Sequence, residues 1–232
     1  ENDVLLAGDH AVMLRHLIGA ITRKHNFVSS FMAKPFANQT GNGLHVHCSI
    51  LDEKDNNIFD DGTDEGTDRL RHAIGGLQAT LPDAMALFAP NLNSYRRFGP
   101  NLFVPVNRAW GYNNRSVAFR VPAGSPEGRR IEHRVSGADA NPYLVLAAIL
   151  AGIHYGIVNK IEPDEPAEGN ACDVVDEDIP FFLPSALKRL RNSSVMREYL
   201  GSHYVEVYAE TKMLEFDKFQ RTISPLEYDW YL

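Results

Sequence analysis

The sequence predicts an α+β fold in which an antiparallel sheet is flanked by helices. Short apolar segments that alternate with polar residues predict strands, and turn-rich stretches between several of them favour antiparallel pairing. Longer segments with apolar residues at helical spacing predict the helices. The chain has 232 residues and is 44% hydrophobic, which is enough for one sizeable core. We therefore expect residues 1–232 to form a single domain.

The helices are predicted from apolar periodicity and from end signals. Asp9 is the expected N-cap of the first helix, and Pro82 is the expected end of the second. Asn141 followed by Pro142 is a cap with proline at the first helical position, which indicates the start of the third. The predicted helices cover residues 9–26, 67–82, 141 onward, 185–200 and 202–223.

The strands are predicted where β-branched and apolar residues lie between turn signals. A turn-rich sequence at 52–57 indicates a hairpin that leads into Ile58 and Phe59. Residues 89–114 are rich in Asn, Pro, Gly and aromatic residues with few charges, which favours an ordered, functional loop. The predicted strands cover residues 28–34, 43–50, 115–121 and 130–135.

Charge and composition narrow the classes of partner. The net charge is −7, from 23 Lys and Arg against 30 Asp and Glu, which argues against non-specific nucleic-acid binding. No continuous apolar run reaches the length of roughly 18 residues that a membrane-spanning helix needs, so no membrane partner is expected. Cys48 and Cys172 are far apart and lie in no CxxC motif, so we expect a reducing, cytoplasmic compartment. The chain begins without an initiator methionine, and we expect it to be part of a longer protein.

The stretch TGNGLHVHCS carries the first cluster of functional candidates. In a strand, alternate side chains share a face, so His45, His47 and Ser49 point together while the apolar residues between them face the core. Two interpretations are open: a strand with histidines on a polar surface, or a site in which imidazoles bind a divalent ion or a phosphate. The turn Gly41–Gly43 would let the backbone approach a ligand closely.

The stretch RRIEHR carries the second cluster. Arg130, Glu132 and Arg134 share one strand face, with Ile131 and His133 on the other. A carboxylate between two guanidiniums is either a buried ion-pair ladder or a hard-metal ligand beside two anion clamps. The residues alone leave both interpretations open.

Further arginines lie in loops and strands around apolar segments, which suggests recognition of a carboxylate or a phosphate. In a regular strand Arg115 and Arg120 would face opposite sides, so they share a site only if Arg115 lies in the preceding loop or a bulge intervenes. His45 and Glu132 offer ligands suited to Mg²⁺ or Mn²⁺, and the arginines offer positive charge. This combination is typical of ATP-dependent phosphoryl transfer, whereas a nuclease or phosphatase would need more metal ligands close together. The additional arginines are Arg96, Arg97, Arg115, Arg120 and Arg129.

These motifs, in this order, strongly resemble the catalytic domain of the glutamine synthetase family, and the similarity covers nearly the whole chain. The resemblance implies that the sheet forms part of that family's catalytic half-barrel. The matching segments are Lys34-Pro35 with the 41–49 stretch, Asn93–Arg97, Asn114–Ser116, Arg129–Arg134, Ala140–Leu144 and the ending Pro225–Leu232.

The resemblance also implies a reaction and a role for each matched residue. Glutamate and ATP would give γ-glutamyl phosphate, from which an amine displaces phosphate, with Mg²⁺ or Mn²⁺ as cofactor and a ring-shaped homo-oligomer as the assembly of the whole protein. The implied roles are metal binding for His45 and Glu132, nucleotide binding for His47, Ser49, Arg115 and Arg130, catalysis for Arg115 and Arg120, and glutamate binding for Gly41, Arg97 and Arg134.

The chain departs from the family pattern at several positions. Phe103 occupies the place of a glutamate that helps to close the ammonium site, so the resemblance favours a bulkier amine, as in family members that make γ-glutamylpolyamines. Thr40 replaces a glutamate-contacting asparagine, and the segment Gly169–Cys172 lacks the tyrosine that is adenylylated in bacterial members. The family's other metal-binding glutamates precede the matched region, so we expect this chain to be inactive alone.

Three alternatives remain. The first is a glutamine synthetase that uses ammonia. The second is a non-catalytic family member that acts as a scaffold, although the retained His45, Glu132 and arginines argue against it. The third is a guanidino kinase-like phosphotransferase, which the His-x-His-x-Ser pattern does not support.

Overall fold

A small sheet and a layer of packed helices make up the computed structural model, which describes residues 3–99, 102 and 104–232. The helices are α1 (Val4–Lys24), α2 (Asp68–Phe88), α3 (Pro142–Asn159), α4 (Leu183–Asn192), α5 (Ser194–Leu200), α6 (Ser202–Gln220) and α7 (Pro225–Tyr231). The strands are β1 (Val46–Cys48), β2 (Trp110–Tyr112), β3 (Phe119–Val121) and β4 (Ile131–His133). Short 3₁₀ helices cover Leu92–Arg97, Pro126–Gly128 and Ala171–Asp173. The predicted α+β class is confirmed.

The sheet is mixed rather than wholly antiparallel. Its strand order is β1-β4-β3-β2. The pairs β1–β4 and β3–β4 are antiparallel, as predicted, but β2 and β3 are parallel. The prediction failed for this pair because residues 113–118 do not form a hairpin turn. They return the chain to the beginning of β2, where the Ala118 N–H donates to the Ala109 carbonyl.

Helices α2 and α3 form the centre of the core, and glycines set how closely they approach. A Cβ atom at Gly76 would overlap the carbonyl oxygen of Gly152 and lie 2.5 Å from the Cα atom of Gly156. The two backbones are therefore in direct contact at this crossing. The sheet contributes Phe119 and Ile131 to the same core.

Two predicted helix boundaries were wrong. The N-cap of α1 is Asp3, whose carboxylate accepts from the Leu5 and Leu6 N–H groups at 2.8 and 3.1 Å, whereas Asp9 accepts from the Tyr143 hydroxyl at 2.5 Å. Pro82 lies inside α2 and does not end it. A proline inside a helix costs about 3 kcal/mol, but the helix continues through residues 83–88, where several large apolar side chains are buried and each contributes about 2 kcal/mol.

Other predicted elements were shorter, divided or missing. Residues 28–34 do not form a strand, and the predicted helix at 185–200 is divided into α4 and α5. The hairpin at 52–57 is confirmed by the bridge between Leu51 and Asn57. The start of α3 is also confirmed, since the Asn141 side chain caps it by accepting from two backbone N–H groups.

Helices α1 and α3 are long and apolar enough, by length and composition, to cross a membrane. For α3 this reflects its place in the core, where Val145, Ile149 and Ile153 are buried. Helix α1 is mostly exposed and is held against α3 by Gly8, which packs on the Tyr143 ring, and by Arg15, which donates to the Ala140 carbonyl at 2.9 Å. Length and apolar composition alone are weak support for membrane insertion, since helices in the core of a protein share both properties.

The glycine contact between α2 and α3 gives a stability prediction. Gly76→Ala should destabilise the protein by about 2 kcal/mol or more, because the added methyl group has no space between the helices. Urea unfolding measures the change. Gly19→Ala is the matched control, since Gly19 lies within α1 with no neighbouring atom nearer than 3.8 Å to the added carbon and alanine favours helix by up to about 1 kcal/mol. A Gly76→Ala variant as stable as the wild type would contradict the close packing.

Candidate active site

The sheet aligns a row of polar side chains across its exposed face. The strand register places His47 of β1 opposite Glu132 of β4, and Glu132 opposite Arg120 of β3. Because paired residues on neighbouring strands project to the same side, the three side chains lie together. The alternation predicted for β1 is confirmed: His45, His47 and Ser49 are exposed, and the residues between them pack against the core.

Glu132 is the centre of this row. Its side chain is almost completely buried, and its two oxygens accept from different guanidiniums. Arg134 Nη1 donates to Oε1 and Arg120 Nη1 donates to Oε2, each at 2.8 Å. Burial alone would raise the pKa of the Glu132 carboxyl, but the Arg120 hydrogen bond and the two guanidinium charges outweigh it, so the pKa lies below its ordinary value. Glu132 is therefore a carboxylate at neutral pH.

The two histidines of β1 approach the same carboxylate oxygen. His45 Nδ1 lies 3.1 Å and His47 Nε2 lies 3.8 Å from Glu132 Oε1. Burial lowers the pKa of both imidazoles, and neighbouring guanidiniums lower it further, against the opposing effect of Glu132. Both side chains are therefore neutral near pH 7. With Nδ1 of His45 directed at the Glu132 carboxylate, its Nε2 lone pair is available for a ligand, whereas the lone pair of His47 accepts from Arg130.

The second predicted cluster has the faces that the sequence indicates. Arg130 lies on the side of Glu132, and its Nε donates to His47 Nδ1 at 3.1 Å. His133 lies on the opposite face, fully buried, with its ring centroid 4.4 Å from that of Phe88 and 5.4 Å from that of Phe119. Burial lowers the pKa of His133 to about 3, so this imidazole is neutral and part of the core.

The buried Arg97 and the half-buried Gly41 pack together beside this row. A Cβ atom at Gly41 would lie 2.8 Å from Arg97 Cγ and 2.6 Å from the Ala33 carbonyl oxygen, so only glycine fits there. Arg97 is 2% exposed, and its Nη1 donates to the Val135 carbonyl at 3.2 Å. Its Nε has no partner among the described residues. Burial lowers the pKa of Arg97 to about 10, with Asp139 opposing the shift, so the guanidinium stays charged at neutral pH.

Arg115 and Ser49 lie at the edge of the cluster. Arg115 precedes β3 and lies in the loop, which meets the condition under which it could share a site with Arg120. Its side chain is exposed and makes no hydrogen bond or ion pair with the described residues, while its carbonyl accepts from Arg134 Nη2 at 2.9 Å. The Ser49 side chain is exposed too and is likewise without a described contact.

Sequence reasoning missed the contribution of Asn113. This residue has φ +48°, and its Oδ1 accepts from Arg120 Nη2 at 2.8 Å. The available signal was the pair Asn113-Asn114 just before Arg115, because asparagine tolerates the left-handed conformation and hydrogen-bonds locally.

The described residues supply only part of a metal site. Within the described ranges, no group of three or more His, Cys, Asp and Glu side chains could hold a metal ion. His45 and Glu132 are nonetheless adjacent, and their nitrogen and oxygen donors suit Mn²⁺ or Mg²⁺. The pair fits one side of a metal site and needs further ligands to complete it.

The sheet, with several arginines on one face, and the helices packed against it define an α+β protein. A family model described as "Glutamine synthetase, catalytic domain" matches residues 1–231. The chain belongs to this family, and the resemblance that the motifs predicted is confirmed.

Curated relatives include the gamma-glutamylputrescine synthetase PuuA of Escherichia coli K12, 40% identical over 100% of this chain and 49% of the relative. A glutamine synthetase of Thermococcus kodakarensis is 35% identical over 96% of the chain and 52% of the relative. A glutamate–isopropylamine ligase of Pseudomonas sp is 34% identical over 100% of this chain and 51% of the relative. The chain thus spans about half the length of these relatives.

Solved structures agree with the fold. A structure titled "Apo GmaS without ligand" has a TM-score of 0.87 at 28% identity and covers 97% of this chain and 53% of that chain. A structure titled "GmaS/ADP complex-Conformation 1" has a TM-score of 0.88 at 27% identity, over 99% and 55%. Phe103, the sequence position that favoured a bulkier amine, lies outside the described residues.

The central carboxylate gives a second stability prediction. Glu132→Gln should destabilise the protein by about 3 kcal/mol, since it leaves the buried Arg120 and Arg134 guanidiniums without a counter-charge. Urea unfolding at neutral pH measures the loss. Glu127→Gln, on the exposed turn before β4, is the control and should leave stability unchanged. Equal stability of the two variants would show that Glu132 does not hold the arginines together.

Proposed function

We propose that the protein to which this chain belongs is an ATP-dependent ligase that joins the γ-carboxyl group of glutamate to an amine. The observation that carries this proposal is the Glu132 cluster, in which one carboxylate, two neutral imidazoles and several guanidiniums share one face of the sheet. Family membership and the names of the relatives, two of which describe glutamate–amine ligation, support it.

In the proposed reaction the γ-carboxylate of glutamate attacks the γ-phosphorus of ATP, which gives γ-glutamyl phosphate and ADP. The amine then attacks the acyl carbon, and phosphate leaves. Negative charge develops on the transferred phosphoryl group, and positioned guanidiniums stabilise it. We assign this role to Arg115, Arg120 and Arg130. The exposed Arg115 side chain makes no hydrogen bond or ion pair within the described part of the chain, which leaves its charge for a ligand.

We assign glutamate binding to Arg97 and Arg134, with Gly41 beside them. Arg97 is buried and charged, and a carbonyl is its one described hydrogen-bond acceptor. A carboxylate placed beside it would therefore gain a charge-assisted hydrogen bond. Glycine at 41 leaves the space that the Arg97 stem occupies, since a Cβ atom there would lie 2.8 Å from Arg97 Cγ.

We assign metal binding to His45 and Glu132, and nucleotide contact to His47 and Ser49. The neutral His45 imidazole and the Glu132 carboxylate are donors in the protonation state that a metal requires. A Mg²⁺ or Mn²⁺ held by these two residues would supply positive charge that neutralises part of the charge on the phosphates of ATP.

We further propose that the amine is larger than ammonium. The support is Phe103, an apolar residue at the position of the family's ammonium-site glutamate, together with relatives named for putrescine and isopropylamine. The 35% identical relative is a glutamine synthetase, so ammonia is the specific competitor.

We expect the whole protein to be a ring-shaped oligomer in a reducing compartment. There, the two cysteines of this chain, which are free in the structure, stay reduced.

The test is ADP release by the full-length protein with ATP, glutamate and one amine at a time. We expect turnover that needs glutamate, and a kcat/KM for putrescine or isopropylamine at least about tenfold above that for ammonium, because an apolar pocket favours a substrate with methylene groups. Preference for ammonium would overturn the proposed acceptor. No glutamate-dependent release with any amine, from a folded protein, would favour the scaffold alternative.

The 232-residue chain by itself should not turn over. Divalent Mg²⁺ and Mn²⁺ take about six ligands, and the described residues bring together only the His45–Glu132 pair with His47 nearby. We therefore expect weak metal-nucleotide binding by calorimetry and no phosphate release with ATP and glutamate. Phosphate release from the purified chain at the rate of the full-length protein would contradict this.

A further inference from the structure

The geometry points to Asn113 as a positioning residue that, together with Glu132 and two arginines, fixes the loop carrying Arg115. The consequence for catalysis rests on the proposed function, in which Arg115 and Arg120 stabilise the transferred phosphoryl group. The structural part of the inference rests on hydrogen bonds alone.

The hydrogen bonds form a closed circuit that starts and ends in this loop. Asn113 Oδ1 accepts from Arg120 Nη2 at 2.8 Å, and Arg120 Nη1 donates to Glu132 Oε2 at 2.8 Å. Arg134 Nη1 donates to the other carboxylate oxygen at 2.8 Å, and its Nη2 donates to the Arg115 carbonyl at 2.9 Å. The Glu132 carboxylate is thus connected to loop residues 113 and 115 through the rigid, planar guanidiniums of Arg120 and Arg134.

A second set of hydrogen bonds holds the loop from the other side. Asn114 Nδ2 donates to the carbonyls of Ala167 and Gly169 at 3.1 and 2.9 Å. Asn114 Oδ1 accepts from the N–H and the hydroxyl of Ser116 at 2.9 and 2.6 Å. Every hydrogen-bonding position of this amide is therefore in use, and the loop is tied to residues 167–171.

The Arg115 backbone is consequently fixed on both sides while its guanidinium extends freely. Fixing the stem of a catalytic cation lowers the entropy that it loses when it engages the transition state. Asn113 contributes in two separable ways: its backbone takes a left-handed conformation at φ +48°, and its side-chain oxygen holds Arg120. The second contribution is the one that we assign to positioning.

Two substitutions separate the backbone from the side chain. Asn113→Gly accepts the left-handed conformation but removes the acceptor for Arg120, whereas Asn113→Asp keeps an acceptor oxygen. Asn26→Gly is the matched control, since Asn26 also has a left-handed backbone, at φ +58°, and lies at the end of α1. Thermal unfolding of the three variants tests whether the fold is retained.

The first measurement is independent of activity. Nitrogen-15 NMR of arginine-labelled protein reports rotation of the Arg120 guanidinium, which is held at both Nη atoms. We expect slow rotation in the wild type and in the Asn113→Asp and Asn26→Gly variants, and fast rotation in Asn113→Gly. Slow rotation in Asn113→Gly, or fast rotation in the wild type, would overturn the inference whether or not the protein is a ligase.

The second measurement is ADP release with ATP, glutamate and the best amine. We expect Asn113→Gly to lower kcat by about tenfold with a smaller change in KM for ATP, because one charge-assisted hydrogen bond is lost around the transferred group. Asn113→Asp should stay near the wild-type kcat. Equal loss in the Gly and Asp variants, or none in Gly, would overturn the positioning role. A wild type without glutamate-dependent turnover would instead refute the proposed function and leave the NMR result to decide the positioning.

Discussion

One buried carboxylate organises the polar face of this domain. Glu132 is 3% exposed and lies on β4, which pairs with a strand on each side. An isolated buried carboxylate would cost several kcal/mol, and an isolated group of guanidiniums would repel. The carboxylate charge and the guanidinium charges compensate one another. Arg120 and Arg134 can therefore stay close together only while Glu132 is ionised between them. The histidines of β1 and the loop before β3 take their places around this pairing.

The opposite face of the same strand explains why the cluster is confined to one side. His133 and Ile131, the neighbours of Glu132, are buried, and His133 lies between the rings of Phe88 and Phe119. A shift of the register by one residue would bring Glu132 into the apolar core and His133 onto the polar face. Strands of only three residues therefore have a well-defined register, because a shift would leave the buried Glu132 charge without its guanidinium partners.

This separation of faces is also what the sequence could predict. Alternation in 44–49 and 130–134 identified both faces correctly, and the cap Asn141-Pro142 identified the start of α3. Features that depend on contacts between residues far apart in the sequence could not be predicted in this way. Pro82 is tolerated because residues after it are buried against other helices. Strand β2 pairs in parallel because the loop 113–118 is held by Glu132 and by residues 167–171. No local pattern in the sequence indicates either feature.

Arg97 and Arg115, to which we assign anionic ligands in the proposed function, place a guanidinium in two different environments. Arg115 is exposed, so its charge is screened by water until a ligand excludes the solvent. Arg97 is buried with a carbonyl as its one described hydrogen-bond acceptor, so its charge is compensated through Asp139 and the Phe98 ring without an ion-pair contact among the described residues. The burial that lowers the pKa of Arg97 to about 10 leaves it charged at neutral pH, and a bound carboxylate would relieve the cost of that burial. In the proposed reaction, Arg97 would discriminate for a negative charge, whereas Arg115 would follow the phosphoryl group as it moves.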